Sequence, residues 1–443
     1  MRKSTAYFIG IGGIGMSALA RFFAAEGWRI EGSDLSLTPL LKELKKERMR
    51  IHLGHKASRI RRKLGMVIYN NAIPRDNPEW KRARRLMLPC YSYPQAVGEI
   101  TKRLTTIAVA GSHGKSTTTA LLGLMLAAGR QDPTVLVGTK VKEFGNKNFR
   151  KGKKKFFVLE ADEFKRAFLE YHPYAAVVTN IDREHLDVYK NLDGVKEAFL
   201  KFLANADPRG FLVLNKDNEA LFSLKEKIQH KKIYWVSTQS SSKDVEAVKN
   251  HIRIPGAHNL SNALLALKAA TALGVPEEKC LRALAAYKGS WRRMEYKGMF
   301  RGAKVYDDYA HHPTELQATI RAAHEAHPGK KVWAVFQPHQ RERLKLLFAE
   351  FTKAFEGLDG LVLLDIYQVA GRDEKPSKIT SQALADAVRY GGRSPRQVIY
   401  AANPKELPNI LSLNVGRFGK LSDMVILMVG AGNIVEHTKL LTE

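Results

Sequence analysis

A short run of glycine, histidine, lysine and hydroxyl residues at 111–118 has the residue types and spacing needed to hold a nucleoside triphosphate. In such loops the backbone N–H groups and the N-terminus of the next helix face the phosphates, the lysine neutralises them and the hydroxyl binds Mg²⁺. We therefore expect Lys115 to contact phosphate and Ser116 to contact the metal. The full candidate set is Gly111, Ser112, His113, Gly114, Lys115, Ser116 and Thr117.

The elements on either side of this run must position it. The apolar residues 104–110 predict a buried strand, and residues 119–129 predict a helix, which is the context that a phosphate-binding loop requires. The longer G-x-x-x-x-G-K-[ST] pattern would need a glycine where the chain has Val109, so this loop is shorter. A glycine turn with an incidental lysine is the alternative interpretation.

A second glycine-rich turn lies near the N-terminus. Residues 6–9 predict a strand, residues 10–15 fit G-x-G-x-x-G, and residues 16–25 predict the following helix. The next predicted strand ends in Asp34, about where dinucleotide-binding folds place an acid near a ribose. The pattern indicates a ligand with a nucleoside diphosphate, and it does not by itself indicate NAD.

Polar residues also follow two predicted strands in the centre of the chain. Residues 156–159 lead to Glu160, and residues 175–180 lead to a loop that contains His185. Because ligands bind at the carboxyl ends of parallel strands, both side chains could join the phosphate loop. A carboxylate suits Mg²⁺, and a histidine suits Mn²⁺ or a second metal. Alternatively, Glu160 caps a helix and His185 is an ordinary loop histidine.

Histidine and arginine residues cluster after predicted strands in the C-terminal part of the chain. Residues 304–308 and 332–336 each lead into a polar loop, and the second loop contains His339 and Arg343. This part has no phosphate loop of its own, and arginine can bind a carboxylate through two hydrogen bonds. We therefore expect it to position a second substrate; surface loops with ordinary charges are the alternative.

Length and composition limit the class of protein. The 443 residues favour two to four domains, and alternating strands and helices predict an α/β fold with mostly parallel sheets. No apolar run approaches the ~20 residues that span a bilayer. The two cysteines give no disulfide framework, and the N-terminal residues are too strand-like for a signal peptide, so we expect a cytoplasmic protein.

The net charge of +28 and the pI near 9.9 are unusual. Nucleic-acid binding is one interpretation, but the basic residues are spread along the chain and no RNA-binding or helix-turn-helix motif stands out. The favoured interpretation is a solvated basic surface that attracts polyanionic small molecules, with neither nucleic acid nor membrane as a partner.

Taken together and in this order, the motifs resemble the Mur ligase family over nearly the whole chain. The segments that carry the resemblance are 8–17, 72–79, 111–117, 179–187, 256–262, 292–293, 307–315 and 336–339. The resemblance implies three domains. They would be an N-terminal Rossmann-like domain over 1–102 for a UDP-sugar, a central P-loop ATPase-like domain over 103–290 for ATP, and a C-terminal Rossmann-like domain over 291–443 for an amino acid.

The resemblance implies an ATP-dependent acid–amino-acid ligase of peptidoglycan precursor synthesis, and hence of cell-wall biogenesis, cell shape and division. Its substrates would be UDP-N-acetylmuramate, ATP and L-alanine, with Mg²⁺ or Mn²⁺ as cofactor, in a monomer or dimer. The muramoyl carboxylate would attack the γ-phosphate of ATP, and the amine of alanine would attack the acyl phosphate. Three substrates on three domains imply domain motion.

The same resemblance leaves an alternative open, a ligase of this fold that takes another amino acid or that recycles a muropeptide. Gln340 stands where alanine-adding members often have arginine, so that Arg341 or Arg343 would have to supply that carboxylate contact.

The resemblance also assigns roles residue by residue. The residues implied in the chemistry are Lys115, His185 and Arg343. The ATP contacts implied outside the loop are Asn259, Arg293 and Asp308. The implied metal ligands are Ser116, Glu160 and His185. The residues implied for the UDP-sugar are Gly12, Gly13, Ile14, Gly15, Asp34 and His55. The residues implied for the amino acid are Tyr309, His311, His339 and Arg343.

Overall fold

The computed structural model describes residues 4–368, 378–391, 395–415 and 420–442. Within these ranges the strands form three mostly parallel sheets covered by helices, which confirms the predicted α/β class. Packing divides the chain into two compact units. The first unit holds the residues up to Tyr287 apart from 185–191 and 252–260, and the second holds those two segments and the residues from Lys288 onward. The limits predicted at 102/103 and 290/291 stay predictions; residues 1–3 and 443 lie outside the described ranges.

The first sheet belongs to the first unit. Its strands are β1 (Thr5–Ile9), β2 (Arg29–Asp34), β3 (Arg50–Leu53), β4 (Leu64–Tyr69) and β5 (Cys90–Ser92). They pair in parallel in the order β3-β2-β1-β4-β5, the strand order of a Rossmann-like fold. The accompanying helices are α1 (Ile14–Ala25), α2 (Pro39–Lys46), α3 (Pro78–Arg85) and α4 (Tyr93–Thr101).

Local sequence explains where these helices begin. The Asn77 side chain accepts hydrogen bonds from the first backbone N–H groups of α3, and a proline occupies the first helical position. The Ser92 and Gln95 side chains form a capping box at the start of α4. The apolar residues of β1 are completely buried because the central strand of a parallel sheet is covered on both faces.

The second sheet also belongs to the first unit. Its strands are β6 (Thr105–Ala110), β7 (Thr134–Val141), β8 (Lys147–Arg150), β9 (Phe156–Glu160), β10 (Ala175–Val178), β11 (Phe211–Asn215) and β12 (Ile233–Val236). The order is β12-β11-β10-β6-β9-β7-β8, and β7 and β8 pair antiparallel while the other pairs are parallel. The central β6 therefore has β9 and β10 as neighbours, so the residues that follow these three strands lie at one edge.

Seven α-helices come after β6 and before β13 along the chain. They are α5 (Lys115–Ala128), α6 (Leu186–Tyr189), α7 (Leu192–Ala204), α8 (Glu219–Phe222), α9 (Lys243–His251), α10 (Ala257–Ala272) and α11 (Glu277–Ala286). The residues of α6 belong to the second compact unit, whereas α5, α7, α8, α9 and α11 belong to the first.

The third sheet lies in the second unit. Its strands are β13 (Glu295–Phe300), β14 (Ala303–Asp308), β15 (Lys331–Phe336), β16 (Gly360–Leu364), β17 (Gln397–Ala401) and β18 (Met424–Val429). The order is β13-β14-β18-β15-β16-β17, with β13 alone running antiparallel to its neighbour among these strands. The helices are α12 (Pro313–Ala326), α13 (Arg341–Leu346), α14 (Phe348–Lys353), α15 (Ser381–Tyr390), α16 (Leu407–Val415), α17 (Ile434–His437) and α18 (Lys439–Thr442).

Each face of the third sheet packs on an apolar core. Phe336 and Phe351 lie in one core, and Trp333, completely buried, lies in the other. All six residues of β18 are buried, so its continuous apolar sequence reflects cover on both faces. None of the helices within the described ranges combines the length and apolar character needed to cross a bilayer.

Candidate active site

The predicted phosphate loop joins the carboxyl end of β6 to the start of α5. The residues that follow β10 hold it from the side. The backbone N–H of His113 donates to the Asn180 side-chain oxygen at 2.9 Å, and the Thr179 hydroxyl donates to the His113 carbonyl at 2.6 Å. The His113 ring nitrogen Nε2 lies 2.9 Å from a carboxylate oxygen of Asp182. The residues after the neighbouring strand therefore hold the loop through side-chain hydrogen bonds.

Glycine is required at two positions of this loop. Gly111 and Gly114 have φ angles of 140° and 81°, which side-chain-bearing residues rarely adopt. A Cβ at Gly111 would lie 1.9 Å from the Thr179 hydroxyl oxygen, and one at Gly114 would lie 2.3 Å from the Asn262 side-chain oxygen. The loop thus lies so close to the residues after β10 and to α10 that a side chain at either glycine would clash with them.

Lys115 is held by its own loop and by a buried acid. Its ammonium donates to the carbonyls of Gly111 at 2.6 Å and Ser112 at 3.1 Å, and it lies 2.8 Å from a carboxylate oxygen of Glu163. Glu163 is 1% exposed. Burial alone would lower the pKa of Lys115, but the charges of Glu163 and Asp162 outweigh it, so this pKa lies above its ordinary value and the ammonium stays charged.

Sequence analysis missed the role of Glu163, although it lies in an acidic cluster directly after β9. The cluster was a usable signal, because β6 and β9 are parallel neighbours and the residues after each of them lie at the same edge of the sheet.

Ser116 and Glu160, the two predicted metal ligands of the first unit, lie side by side. The Ser116 hydroxyl donates to one Glu160 carboxylate oxygen at 2.9 Å, and the backbone N–H of Gly138 on β7 donates to the other at 2.5 Å. Burial raises the pKa of Glu160, although Gly138 and the charge of Lys115 oppose this shift. A hydroxyl beside a carboxylate is a ligand set that suits Mg²⁺, so these residues fit the predicted metal.

The structure does not bring all the predicted metal and ATP residues into one unit. Ser116 and Glu160 lie in the first unit, whereas His185 lies in the segment 185–191 of the second. His185 precedes α6 with a left-handed φ of 53°. Asn259 lies near the start of α10, also in the second unit, and its amide donates to the Pro255 carbonyl at 2.6 Å.

The predicted diphosphate turn connects β1 to α1. The backbone N–H of Gly12 donates to the Asp34 carboxylate at 2.8 Å, so Asp34 holds the turn itself. The Ile14 carbonyl accepts a hydrogen bond of 2.7 Å from the fully buried Asn148 amide of β8. Gly13 precedes the first helical residue of α1, and Gly15 lies inside its first turn. The predicted diphosphate would therefore meet the N-terminus of α1, an end of a helix that favours anions.

His55 lies beside the end of β2. Its ring nitrogen Nδ1 lies 3.0 Å from both the Ser33 hydroxyl and a carboxylate oxygen of Glu79. Asp34 and His55 therefore lie near the same strand end, as their predicted common role requires. The sequence offered Glu79 only as part of the segment 72–79, and no spacing rule connected it with His55.

In the second unit, Asp308 organises the loop that its strand leads into. Its carboxylate accepts from the backbone N–H groups of Met294 at 2.8 Å and Ala310 at 2.9 Å, and from the Thr319 hydroxyl at 3.1 Å. Burial raises the pKa of Asp308, with the charge of Arg293 opposing. The predicted ATP-binding acid thus connects the residue before β13, the loop after β14 and helix α12.

The predicted amino-acid residues come together at the ends of β14 and β15. The ring centres of Tyr309 and His311 are 5.3 Å apart, and those of His311 and His339 are 6.1 Å apart. Arg293, which was predicted to contact ATP, lies beside them, with its guanidinium 5.3 Å from the centre of the Tyr309 ring. Arg343 donates to the His339 carbonyl at 3.3 Å. This cluster of cationic and aromatic side chains can bind a carboxylate and enclose a small side chain.

Two further residues shape this cluster. Tyr367 was not predicted; its ring stacks on His339 with centres 5.6 Å apart and planes 8° apart. Gln340 has a left-handed φ of 67°, and its N–H donates to the Tyr367 carbonyl at 3.3 Å. Tyr367 follows β16, the neighbour of β15, so its place depended on the strand order and could not be read from spacing.

A phosphate loop on a mostly parallel sheet, in a chain with two further α/β sheets, is typical of a nucleotide-binding enzyme. The comparisons with known proteins then show that this chain belongs to the Mur ligase family. It matches three family models, described as the Mur ligase family catalytic domain over residues 5–105, the Mur ligase middle domain over 109–270 and the Mur ligase glutamate ligase domain over 292–432.

Relatives in this family cover nearly the whole chain. It is 36% identical to the UDP-N-acetylmuramate–L-alanine ligase of Acetivibrio thermocellus over 97% of this chain and 93% of the relative. It is 37% identical to the enzyme of that name from Caldanaerobacter subterraneus subsp. tengcongensis, over 97% of this chain and 95% of the relative. The crystal structure of UDP-N-acetylmuramate-alanine ligase from Thermotoga maritima superposes with a TM-score of 0.79 at 27% identity, covering 99% of this chain and 98% of that chain.

Proposed function

We propose that this protein is an ATP-dependent ligase that joins L-alanine to the carboxylate of UDP-N-acetylmuramate in peptidoglycan precursor synthesis. The observation that carries the proposal is the short phosphate loop, with Lys115 charged and Ser116 paired to Glu160, in a chain similar along its length to ligases of that name. A reducing cytoplasm fits the two free cysteines, Cys90 and Cys280.

The first chemical step is phosphoryl transfer. A carboxylate oxygen of UDP-N-acetylmuramate attacks the γ-phosphorus of ATP, the bond to the bridging oxygen breaks, and ADP leaves as the acyl phosphate forms. Two anions must approach each other, so the step depends on positive charge and positioning. Lys115, kept cationic by the neighbouring acids, is the residue we assign to that charge, and the loop N–H groups and the start of α5 bind the phosphates.

A divalent cation would lower the repulsion between these anions by binding phosphate oxygens. Ser116 and Glu160 are the residues of the first unit that would hold it, because their oxygens already lie 2.9 Å apart. His185 is a further candidate ligand of the cation, and Mn²⁺ is the alternative to Mg²⁺ that a histidine ligand would suit. The raised pKa of Glu160 means that its carboxylate lacks a full compensating charge, which a cation would supply.

The second step is amide formation. The unprotonated amine of alanine attacks the acyl carbon, inorganic phosphate leaves and the nitrogen loses a proton. We assign recognition of the alanine carboxylate to Arg343 and of its small side chain to Tyr309, His311 and His339, since these groups cluster after β14 and β15. The N-terminal turn with Gly12, Asp34 and His55 is assigned to the UDP moiety.

The test is ADP release by purified protein. ADP should form only when UDP-N-acetylmuramate, ATP and L-alanine are present together, and mass spectrometry should show one alanine residue added to the nucleotide sugar. Rapid ATP turnover that ignores both co-substrates contradicts the proposal. Leaving out each substrate in turn supplies the controls.

Gln340 motivates a second candidate within the same fold, a ligase for another amino acid. Its side chain is neutral at a position beside His339 and Arg343, so the carboxylate contacts differ from those of members with arginine there. Competition among alanine, glycine, serine and a muropeptide in one reaction, analysed by product mass, decides between the candidates. A product that carries mainly glycine or serine would replace alanine in the proposal.

A further inference from the structure

Glu79 is a completely buried carboxylate in the first turn of α3. It accepts hydrogen bonds from the Tyr7 hydroxyl at 2.7 Å, the Ser33 hydroxyl at 2.5 Å and the backbone N–H of Lys56 at 3.1 Å. The ring of His55 lies 3.0 Å away. These partners come from β1, the end of β2 and the loop after β3, so one carboxylate connects three strands of the sheet.

Charge compensates the burial of this carboxylate. The Arg59 guanidinium lies 3.5 Å from Glu79 and also donates to the Leu53 carbonyl at 2.9 Å. Burial and the charge of Glu79 raise the pKa of Tyr7, so its hydroxyl keeps the proton that it donates. A buried carboxylate that lost its donors would lower the stability of the fold. A helix can begin without a buried acid, so α3 does not by itself explain Glu79.

The strand end that Glu79 holds is the one that holds the glycine turn. The Ser33 carbonyl accepts from the N–H groups of Gly10 at 2.8 Å and Ile11 at 3.1 Å, and the next residue, Asp34, accepts from Gly12 at 2.8 Å. Glu79 therefore reaches the diphosphate turn through a single residue, Ser33. It reaches His55 directly.

We propose that Glu79 is a positioning residue of the UDP-sugar site, holding His55 and the end of β2 in the arrangement that receives the nucleotide. A carboxylate that accepts from Nδ1 of a histidine fixes both the ring orientation and the tautomer, leaving Nε2 as the acceptor in the neutral ring. This inference rests on the proposed function, because that function supplies the UDP-sugar as ligand.

The test is Glu79→Gln, which keeps the side-chain shape, removes the charge and turns one acceptor into a donor. Calorimetry should show about tenfold or weaker binding of UDP-N-acetylmuramate, because the groups that receive it lose their orientation. The KM for ATP should change less than about twofold, since the phosphate loop is on another sheet. In ¹⁵N NMR spectra the His55 ring should shift from the Nδ1-protonated tautomer to a mixture.

Two further variants keep the test decisive if Glu79→Gln folds poorly. Ser33→Ala removes one donor to Glu79 and leaves the carboxylate with the others, so it should cost less stability than Glu79→Gln and weaken binding of the UDP-sugar several-fold. Glu99→Gln changes a half-buried glutamate on α4 that pairs with Lys102, and it should behave as wild type. A general loss of stability that raises both substrates' KM values together would assign Glu79 a structural role and overturn the inference.

The experiment separates this inference from the proposed function. If the wild-type protein binds no UDP-N-acetylmuramate, the proposed function fails. If the wild type binds it and both Glu79→Gln and Ser33→Ala bind it equally well, the proposed function stands and the positioning role of Glu79 is wrong.

Discussion

At the scale of the residue, the pair of Lys115 and Glu163 explains how a lysine stays charged in a closed loop. Glu163 contributes negative charge where burial removes solvent, so the ammonium that we propose to contact phosphate keeps its proton. Under the proposed function the same pair links catalysis to stability, because each partner left alone would be a buried charge.

We expect Lys115→Ala to abolish ligation, with a rate loss of about a thousandfold or more, because the charge that offsets the phosphates is gone. Binding of UDP-N-acetylmuramate to the first sheet should persist. The variant should also lose about 1–3 kcal/mol of stability, since the Glu163 carboxylate loses its cation. Timed assays of ADP release measure the rate, calorimetry measures the binding of UDP-N-acetylmuramate, and unfolding in urea measures the stability.

The double variant Lys115→Ala with Glu163→Gln is the matched control. It removes the charge that the single variant leaves unpaired, so stability should recover while activity stays absent. A double variant that is as unstable as Lys115→Ala alone would show that the pair is not the source of the loss. Loss of UDP-sugar binding in either variant would count against separate sites.

Asp307 provides a pH-dependent contribution at the residue scale. It is 1% exposed on β14, and burial raises its pKa to about 6, although the Thr438 hydroxyl and the charge of Lys297 oppose the shift. A raised pKa means that the folded state prefers the protonated acid. The contribution of Asp307 to the free energy of unfolding is therefore full below about pH 4, and it is lost as the pH rises through about 6.

We expect Asp307→Asn to be more stable than wild type at pH 7, by at most about 3 kcal/mol, and nearly equal at pH 4. Asparagine keeps the oxygen that accepts from Thr438 and carries no charge to bury. Unfolding by urea at several pH values measures the difference. Asp423→Asn, an exposed acid paired with Lys330 in the same unit, should show no such trend; an equal trend in both variants would contradict the assignment.

At the scale of the element, the phosphate loop depends on the close approach of α10 and β10. Gly114 and Gly274 both have left-handed φ angles, 81° and 84°, but a Cβ at Gly114 would meet Asn262 whereas one at Gly274 would meet no atom within 4 Å. The two glycines therefore separate backbone strain from crowding.

We expect Gly274→Ala to lose about 1–2 kcal/mol of stability through backbone strain alone and to keep its activity. Gly114→Ala adds the clash with Asn262, so the loop must move and the KM for ATP should rise about tenfold or more. Thermal unfolding and ADP release measure the two effects. Unchanged ATP kinetics in Gly114→Ala would show that the loop tolerates displacement.

Some structural elements could be predicted from the sequence better than others. Strands and glycine turns were predictable, since apolar runs such as β18 and the turn after β1 carry local signals. The residues that hold these turns were not. Glu163, Glu79 and Asn148 each contact a residue far away in the chain, and only the strand order and the packing between the two sheets bring them there.

Polar residues could therefore be placed at strand ends from the sequence, but their partners could not. Asp34 illustrates the limit. Spacing predicted an acid beside the nucleotide, which stays a prediction, whereas the hydrogen bond from the Gly12 N–H to its carboxylate could not be predicted. Asp308 is similar. Its three protein donors are brought to it by the fold, and two of them are distant in the chain, so spacing could not predict them.

At the scale of the whole molecule, the net charge of +28 belongs to a protein whose proposed nucleotide substrates are polyanions. A positive field raises the local concentration of such ligands and their rate of association, and salt screens it over a Debye length of about 10 Å at 0.1 M. The zwitterion alanine carries no net charge and gains little from this field.

We expect the KM values for ATP and UDP-N-acetylmuramate to rise about threefold or more between 0.05 and 0.5 M sodium chloride, with a much smaller change for alanine. Steady-state assays at fixed magnesium measure the three constants, and sucrose at matched osmolarity controls for effects other than screening. If the nucleotide constants do not respond to salt, while a short RNA binds tightly and salt-dependently and stimulates ATP hydrolysis, the charge serves nucleic acid instead. The same titration thus tests the charge and the class of partner together, because screening must weaken whichever anion the surface attracts.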